Sequence, residues 1–134
     1  LRKLNGGGYR ATAVPRIERE GPGWAIVDGG SALGQIGSVF AMRTAMAKAK
    51  QVGIAYVGLT NTGHIGAAGY YAALAAREGL IGMITGNDMP SVAAPGSRGA
   101  VLGSNPIALG SVNQRPAISL LTMGVAMLTN NRGN

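Results

Sequence analysis

The sequence predicts an α/β fold, a mixed sheet with flanking helices, and three observations carry that expectation. Short apolar runs of β-type residues alternate with longer stretches of helical periodicity, in the order strand, helix, strand, helix, strand. Glycine- and proline-based turn signals separate them. With 134 residues, 46% of them hydrophobic, the chain suits one domain, residues 1–134, with a real core and no general disorder.

Residues 1–23 are glycine-rich, basic and weakly periodic, and read mostly as loop with room for one short extended piece. Trp24-Ala25-Ile26-Val27 reads as a strand, stopped by the turn signal Asp28-Gly29-Gly30. Residues 35–51 read as a helix, because Ile36, Val39, Phe40, Met46 and Ala47 recur at helical intervals and predict the core-facing side. Arg43, Lys48 and Lys50 take other faces; the cations in the last turns suit the negative end of the helix dipole, and Gly53 supplies the stop. Ile54–Leu59 predicts a buried strand, and residues 60–66, TNTGHIG, a loop. Residues 67–78 predict a second helix, with Ala67, Tyr71, Leu74 and Glu78 along one side and Gly79 as its stop. Ile81–Thr85 predicts another buried strand, followed by a long polar loop over 86–103. Short apolar segments follow at Val101-Leu102, Ile107–Leu109 and Ala117–Leu121, and residues 122–129 are expected to begin a helix.

Composition narrows the function classes. The net charge is +7, and Arg2, Lys3, Arg10, Arg16 and Arg19 fall in the first twenty positions. The other cations are scattered and Phe and Trp occur once each, so no basic stripe alternates with aromatics and no nucleic-acid partner is expected. The absence of Cys excludes disulfides, thiolate metal sites and a Cys nucleophile, and fits a reducing, cytoplasmic compartment. The most apolar stretch, Ala117–Leu128, falls short of the ~20 residues of a membrane-spanning helix, so no membrane partner is expected. The first residue is Leu1, and a polar tail from Asn130 to Asn134 follows an apolar segment; both predict a piece of a longer protein.

His64 is the only histidine, in a glycine-flanked loop between a predicted strand and a predicted helix, where α/β proteins place their chemistry. An imidazole, with an ordinary pKa of ~6.5, can take or give a proton near neutral pH. Removing hydride from a hydroxylated carbon also requires removal of the hydroxyl proton, which such a group can accept. On spacing alone, proton transfer and a loop residue without a role both stand. No second His or Cys accompanies it, so no metal is expected. Neither G-x-S-x-G nor G-x-G-x-x-G is present. Tyr70 and Tyr71 have helical spacing and read as packing residues.

Ordered motifs with near-matching spacing then add a resemblance. Asp28 to Gln35 matches a D-G-x-x-x-L-G-Q turn. Asn61-Thr62-Gly63-His64-Ile65-Gly66 through Tyr70-Tyr71 matches N-S-x-H-x-G-x-x-x-Y-Y, and Gly103-Ser104-Asn105-Pro106 matches G-T-N-P. Over roughly residues 10–112 the chain resembles the type-2 malate/L-lactate dehydrogenases, which transfer hydride between NAD or NADP and small 2-hydroxy or 2-oxo acids and bind the dinucleotide without the Rossmann glycine motif. The family's next motif, D-M-A-T-S, corresponds to Ser119-Leu120-Leu121-Thr122-Met123, where only Thr122 agrees and Ser119 replaces the acidic residue.

The resemblance implies a non-Rossmann dinucleotide-binding fold, here incomplete, and a homodimer. It implies that His64 is the acid/base residue and that Asp88, Ser119, Leu120 and Leu121 fall at cofactor-contacting positions. Asp88 keeps two readings, a partner for a ribose hydroxyl or turn chemistry within Asn87-Asp88-Met89-Pro90. The family segment that holds the substrate carboxylate, with its Ser-His-Gly and Arg, would precede Leu1. The chain then reads as the central part of a longer dehydrogenase, or as a catalytically inactive remnant or assembly module of the same fold.

Overall fold

The computed structural model describes residues 6, 8–112 and 118–124, with side chains described up to Ser111. The chain divides into two compact units, residues 1–67 and 68–134.

In the first unit, strands β1 (Arg16–Gly21), β2 (Trp24–Asp28) and β3 (Tyr56–Thr60) form a sheet in that order, with helix α1 (Gly34–Val52) between β2 and β3. β1 pairs antiparallel with β2, and β2 parallel with β3, so the sheet is mixed as expected. The parallel pair needs a crossover, and α1 supplies it. Ala25 and Val27 of β2 are fully buried. Their neighbours Trp24, Ile26 and Asp28 point to the opposite face by strand alternation, where Ile26 packs over Gly58 of β3.

α1 meets the sheet with the face opposite to the one its periodicity predicts. Its buried residues are Gly34, Gly37, Ser38, Ala41 and Met46. Of the expected core face, only Met46 is buried; Ile36, Val39, Phe40 and Ala47 line a shallow groove of about 440 Å³ with Arg43 and Thr44. The physical reason is distance. Small residues let the helix axis approach the sheet and the loops at its edge, which a row of Ile, Val and Phe would hold away. Lys48 ties the last turns of α1 to β1, donating to the Gly21 carbonyl at 2.8 Å and pairing with Glu20 at 2.8 Å. Gly53, at φ 91°, closes the helix where the sequence predicts its stop.

In the second unit, β4 (Gly82–Thr85), β5 (Pro106–Val112) and β6 (Ile118–Gly124) form an antiparallel sheet in that order, and α2 (Ala68–Arg77) packs on it. Gly82 and Gly110 are cross-strand partners, and both lie under Ala72 of α2. A methyl group at Gly110 would meet the Ala72 carbonyl at 2.8 Å, so this glycine pair sets how closely the helix lies on the sheet. Tyr71 is 2% exposed and meets the half-exposed Tyr70 ring edge-on, with centroids 5.4 Å apart and planes 85° apart. Packing thus accounts for Tyr71. Gly79, at φ 78°, ends α2: its N–H donates to Ala76 and the N–H of Leu80 to Ala75, the Schellman pattern that glycine adopts without Cβ strain.

Two further expectations change, and the loop over 86–103 stands as expected. Residues 122–124 are strand, paired with β5, because the apolar run finds a partner ladder seven residues long; 125–129 lie outside the described residues. β3 and β4 are edge strands with partly exposed residues: Tyr56 is 71% exposed, and Ile54 and Ile81, just outside them, are also exposed. The loop from 86 to 103 contains one bridge, Val92 to Leu102. Among the described residues no helix is long and apolar enough to cross a membrane.

Candidate active site

His64 stands on the segment between β3 and α2, and its side chain is exposed. The loop that carries it is held by the turn that follows β2, which means that two of the motifs, some thirty residues apart, interlock.

Asp28, at the end of β2, is the centre of that lock. Its Oδ1 accepts the Gly30 N–H at 2.9 Å and the Asn61 side-chain amide at 2.9 Å. Its Oδ2 pairs with Arg16 at 3.2 Å, while its own side chain is 19% exposed. Hydrogen bonds from Gly30 and then Asn61, with the Arg16 charge behind them, hold the carboxyl below its ordinary value against an opposing effect of desolvation. Asn61 is in turn the partner of Ser31: the Ser31 hydroxyl donates to Asn61 Oδ1, and the Ser31 N–H to the Asn61 carbonyl, both at 2.9 Å. Ser31 and Asn61 both adopt positive φ, 62° and 47°, in the left-handed region that short polar side chains tolerate when they bond locally. The Gly29 N–H adds a bond to the Thr60 carbonyl at 2.9 Å.

Glycines complete the fit. Gly34, the first residue of α1, presses on the loop so closely that a Cβ there would strike the carbonyl oxygens of Gly63 and His64. One turn on, a Cβ at Gly37 would lie 3.0 Å from Thr62 Oγ1. A Cβ at Gly66 would lie 3.4 Å from the amide nitrogen of Gln35. The spacing D-G-x-x-x-L-G-Q therefore has a mechanical meaning: Asp28 grips Asn61, Gly34 receives the Gly63 and His64 carbonyls, and Gln35 borders Gly66.

On the other side of the loop lies Tyr9, a residue that sequence reasoning missed, since it sits in a segment read as loop. Its ring covers Gly63, and its hydroxyl accepts the His64 backbone N–H at 3.4 Å.

The remaining predicted site residues lie in the second unit. Asp88 is exposed on the loop after β4. Its Oδ1 accepts the Met89 N–H at 2.8 Å, and its Oδ2 the Ser104 hydroxyl at 3.3 Å. Its own N–H donates to Asn105 Oδ1 at 2.8 Å, and Gly103 packs against its carbonyl. These bonds tie Asp88 to the Gly103-Ser104-Asn105-Pro106 motif, with Asn105 6% exposed at φ 33°. Ser119, Leu120 and Leu121 lie in β6 opposite Ser111, Gly110 and Leu109; their side chains lie outside the described residues.

The chain is similar to several known dehydrogenases. The malate dehydrogenase of Pyrococcus horikoshii is 46% identical over 103 residues, 77% of this chain and 29% of that protein. A solved malate dehydrogenase structure from the same organism superposes with a TM-score of 0.81 at 41% identity, over 90% of this chain and 34% of the other. The L-sulfolactate dehydrogenase of Methanothermobacter thermautotrophicus is 36% identical over 117 residues, 87% of this chain and 34% of that protein. The NAD-dependent ureidoglycolate dehydrogenase of Escherichia coli O157:H7 is 32% identical over 125 residues, 93% of this chain and 36% of that protein. The chain thus spans about a third of the length of these relatives. The profile of the malate/L-lactate dehydrogenase family matches residues 1–131, and the chain belongs to that family.

Proposed function

We propose that this chain is the part of a dehydrogenase of small 2-hydroxy acids that carries its proton-transfer residue, His64. The observation that supports this most is an exposed imidazole on a backbone clamped by Asp28, Asn61 and Gly34. A general acid or base works only when held within hydrogen-bond reach of its proton, and rigid support of this kind provides that. In oxidation the His64 imidazole accepts the substrate hydroxyl proton; in reduction it returns the proton to the carbonyl oxygen. A bound nicotinamide supplies the acceptor or donor of the hydride.

For the dinucleotide, Asp88 is the residue on which the donor set can be tested. Its carboxylate is exposed and anchored by Met89 and Ser104, and each oxygen retains a second lone pair. That suits acceptance of a ribose hydroxyl and repels an added phosphate, so the reading favours NAD over NADP. Substrates are 2-oxo or 2-hydroxy acids of the malate and lactate size class, and the working form is a cytoplasmic homodimer.

A second reading, a remnant that assembles without catalysis, draws on one observation: Ser119 stands where the family motif has its acidic residue. An assay of the protein expressed from its full reading frame decides between them. Following nicotinamide absorbance with a panel of 2-oxo acids, the dehydrogenase reading expects turnover with at least one acid, faster with NADH than with NADPH. No turnover with any of them, and no protection by either cofactor against thermal unfolding, leaves the remnant.

A further inference from the structure

We propose that the aromatic ring of Tyr9 is a positioning element for His64, fixing the backbone from which the imidazole projects; this rests on the reading of His64 as the proton-transfer residue. The residue before His64 is a glycine, the least restricted of all residues, and a glycine at that place would let the following side chain swing through a wide cone. A catalytic imidazole cannot afford that freedom, because ångström-scale misplacement of a reacting group costs up to about a hundredfold in rate. The Tyr9 ring occupies the space in which a Cβ at Gly63 would sit, so the glycine's spare volume is filled by an aromatic plane from elsewhere in the chain. On the other side Gly34 presses on the carbonyls of Gly63 and His64. The Gly63–His64 peptide is therefore held between a helix start and a ring.

The ring is itself held. Tyr9 is half-buried while Gly8, Arg10, Ala11 and Thr12 around it are exposed. The Arg10 N–H donates to the Ser31 carbonyl at 2.9 Å, and Ser31 is the residue locked to Asn61. The segment bearing Tyr9 is thus registered on the same polar lock that fixes the His64 loop. The ring fills the space beside Gly63 directly, whereas the hydroxyl accepts the His64 N–H at a long 3.4 Å, and we assign the effect to the ring.

The test uses the protein from its full reading frame, with Tyr9→Phe, Tyr9→Ala, Gly63→Ala and His64→Asn variants, and reads both turnover and the His64 imidazole resonance, assigned by its loss in His64→Asn. Tyr9→Phe keeps the ring and is expected to stay within about threefold of the parent kcat with an unchanged resonance. Tyr9→Ala is expected to lower kcat by roughly ten- to a hundredfold at unchanged cofactor KM, with a broadened His64 resonance, while the melting temperature stays close to the parent's. Gly63→Ala is expected to be harmful alone and to cost less when Tyr9 is already Ala, since the clashing ring is gone. If Tyr9→Ala does not fold, Tyr9→Leu, which fills the volume without the plane, takes its place. Parent-like kcat and resonance in Tyr9→Ala or Tyr9→Leu overturn the proposal, as does an equal loss in Tyr9→Phe and Tyr9→Ala. If His64→Asn keeps full turnover, the proton-transfer reading fails instead, and the resonance still decides whether Tyr9 holds the loop.

Discussion

Asn61 donates through its side-chain amide to Asp28 at 2.9 Å, joining the end of β3 to the end of β2 at the point where the His64 loop departs. Asp28 is thereby a folded-state acceptor with a lowered pKa. A carboxyl of this kind contributes stability that is fully present above its ordinary value near 3.8 and is lost as pH falls through its lower folded value. The Asn61→Ala variant removes one of the two hydrogen bonds on Oδ1, and the Asp28 carboxyl then rises toward its ordinary value. Melting curves between pH 2.5 and 7 are expected to show the variant less stable at neutral pH and losing less than the parent on acidification, with the loss setting in near the ordinary carboxylate value in both. Superimposable profiles contradict this account of the lock.

Gly34 tests the close approach directly. In Gly34→Ala the added methyl group must displace the Gly63 and His64 carbonyls, which are backbone and cannot rotate away. Overpacking of this type costs about 1–3 kcal/mol. Urea unfolding is expected to show a loss in that range, with a fall in kcat larger than the lost stability alone explains. A variant as stable and active as the parent contradicts the fit between the two motifs.

The tyrosine pair separates a buried ring from an exposed one. Tyr71→Ala empties a site that is 2% exposed and is expected to cost about 3–5 kcal/mol, whereas Tyr70, 52% exposed, is expected to cost less than about 1.5 kcal/mol on the same change. Chemical denaturation of the two variants checks the ranking.

Gly79 sits at φ 78° in the turn that ends α2. Gly79→Ala forces a side chain into the left-handed region at a cost of about 1–2 kcal/mol, measurable as a lower melting temperature. An unchanged or higher melting temperature contradicts the Schellman turn.

Much of this architecture is legible in the sequence, because strand runs and turn glycines act locally. Gly53 and Gly79 end their helices where they are expected to, and β2 begins at Trp24. What local periodicity cannot give is which side of a helix faces in. For α1 the large apolar residues predict one face, and the close approach demanded at Gly34 and Gly37 selects the other. The apolar run beginning at Ala117 fits strand or helix equally until a partner ladder is known, and pairing with β5 decides for strand through Gly124. At the site, His64 and the two motifs are visible as residues, but the grip of Asp28 on Asn61 joins positions 33 apart and appears only in three dimensions. Tyr9 carries no sequence signal at all: it acts because the Arg10 bond to Ser31 brings an otherwise exposed segment across Gly63.

The most direct measurement of the central claim is the steady-state kcat of His64→Asn with the best 2-oxo acid and nicotinamide cofactor, in the protein from its full reading frame. Loss of a proton-transfer residue predicts a fall of about 10²–10⁴-fold, with the melting temperature and cofactor affinity retained because the imidazole is exposed. A variant that turns over within a few fold of the parent contradicts the assignment of proton transfer to His64.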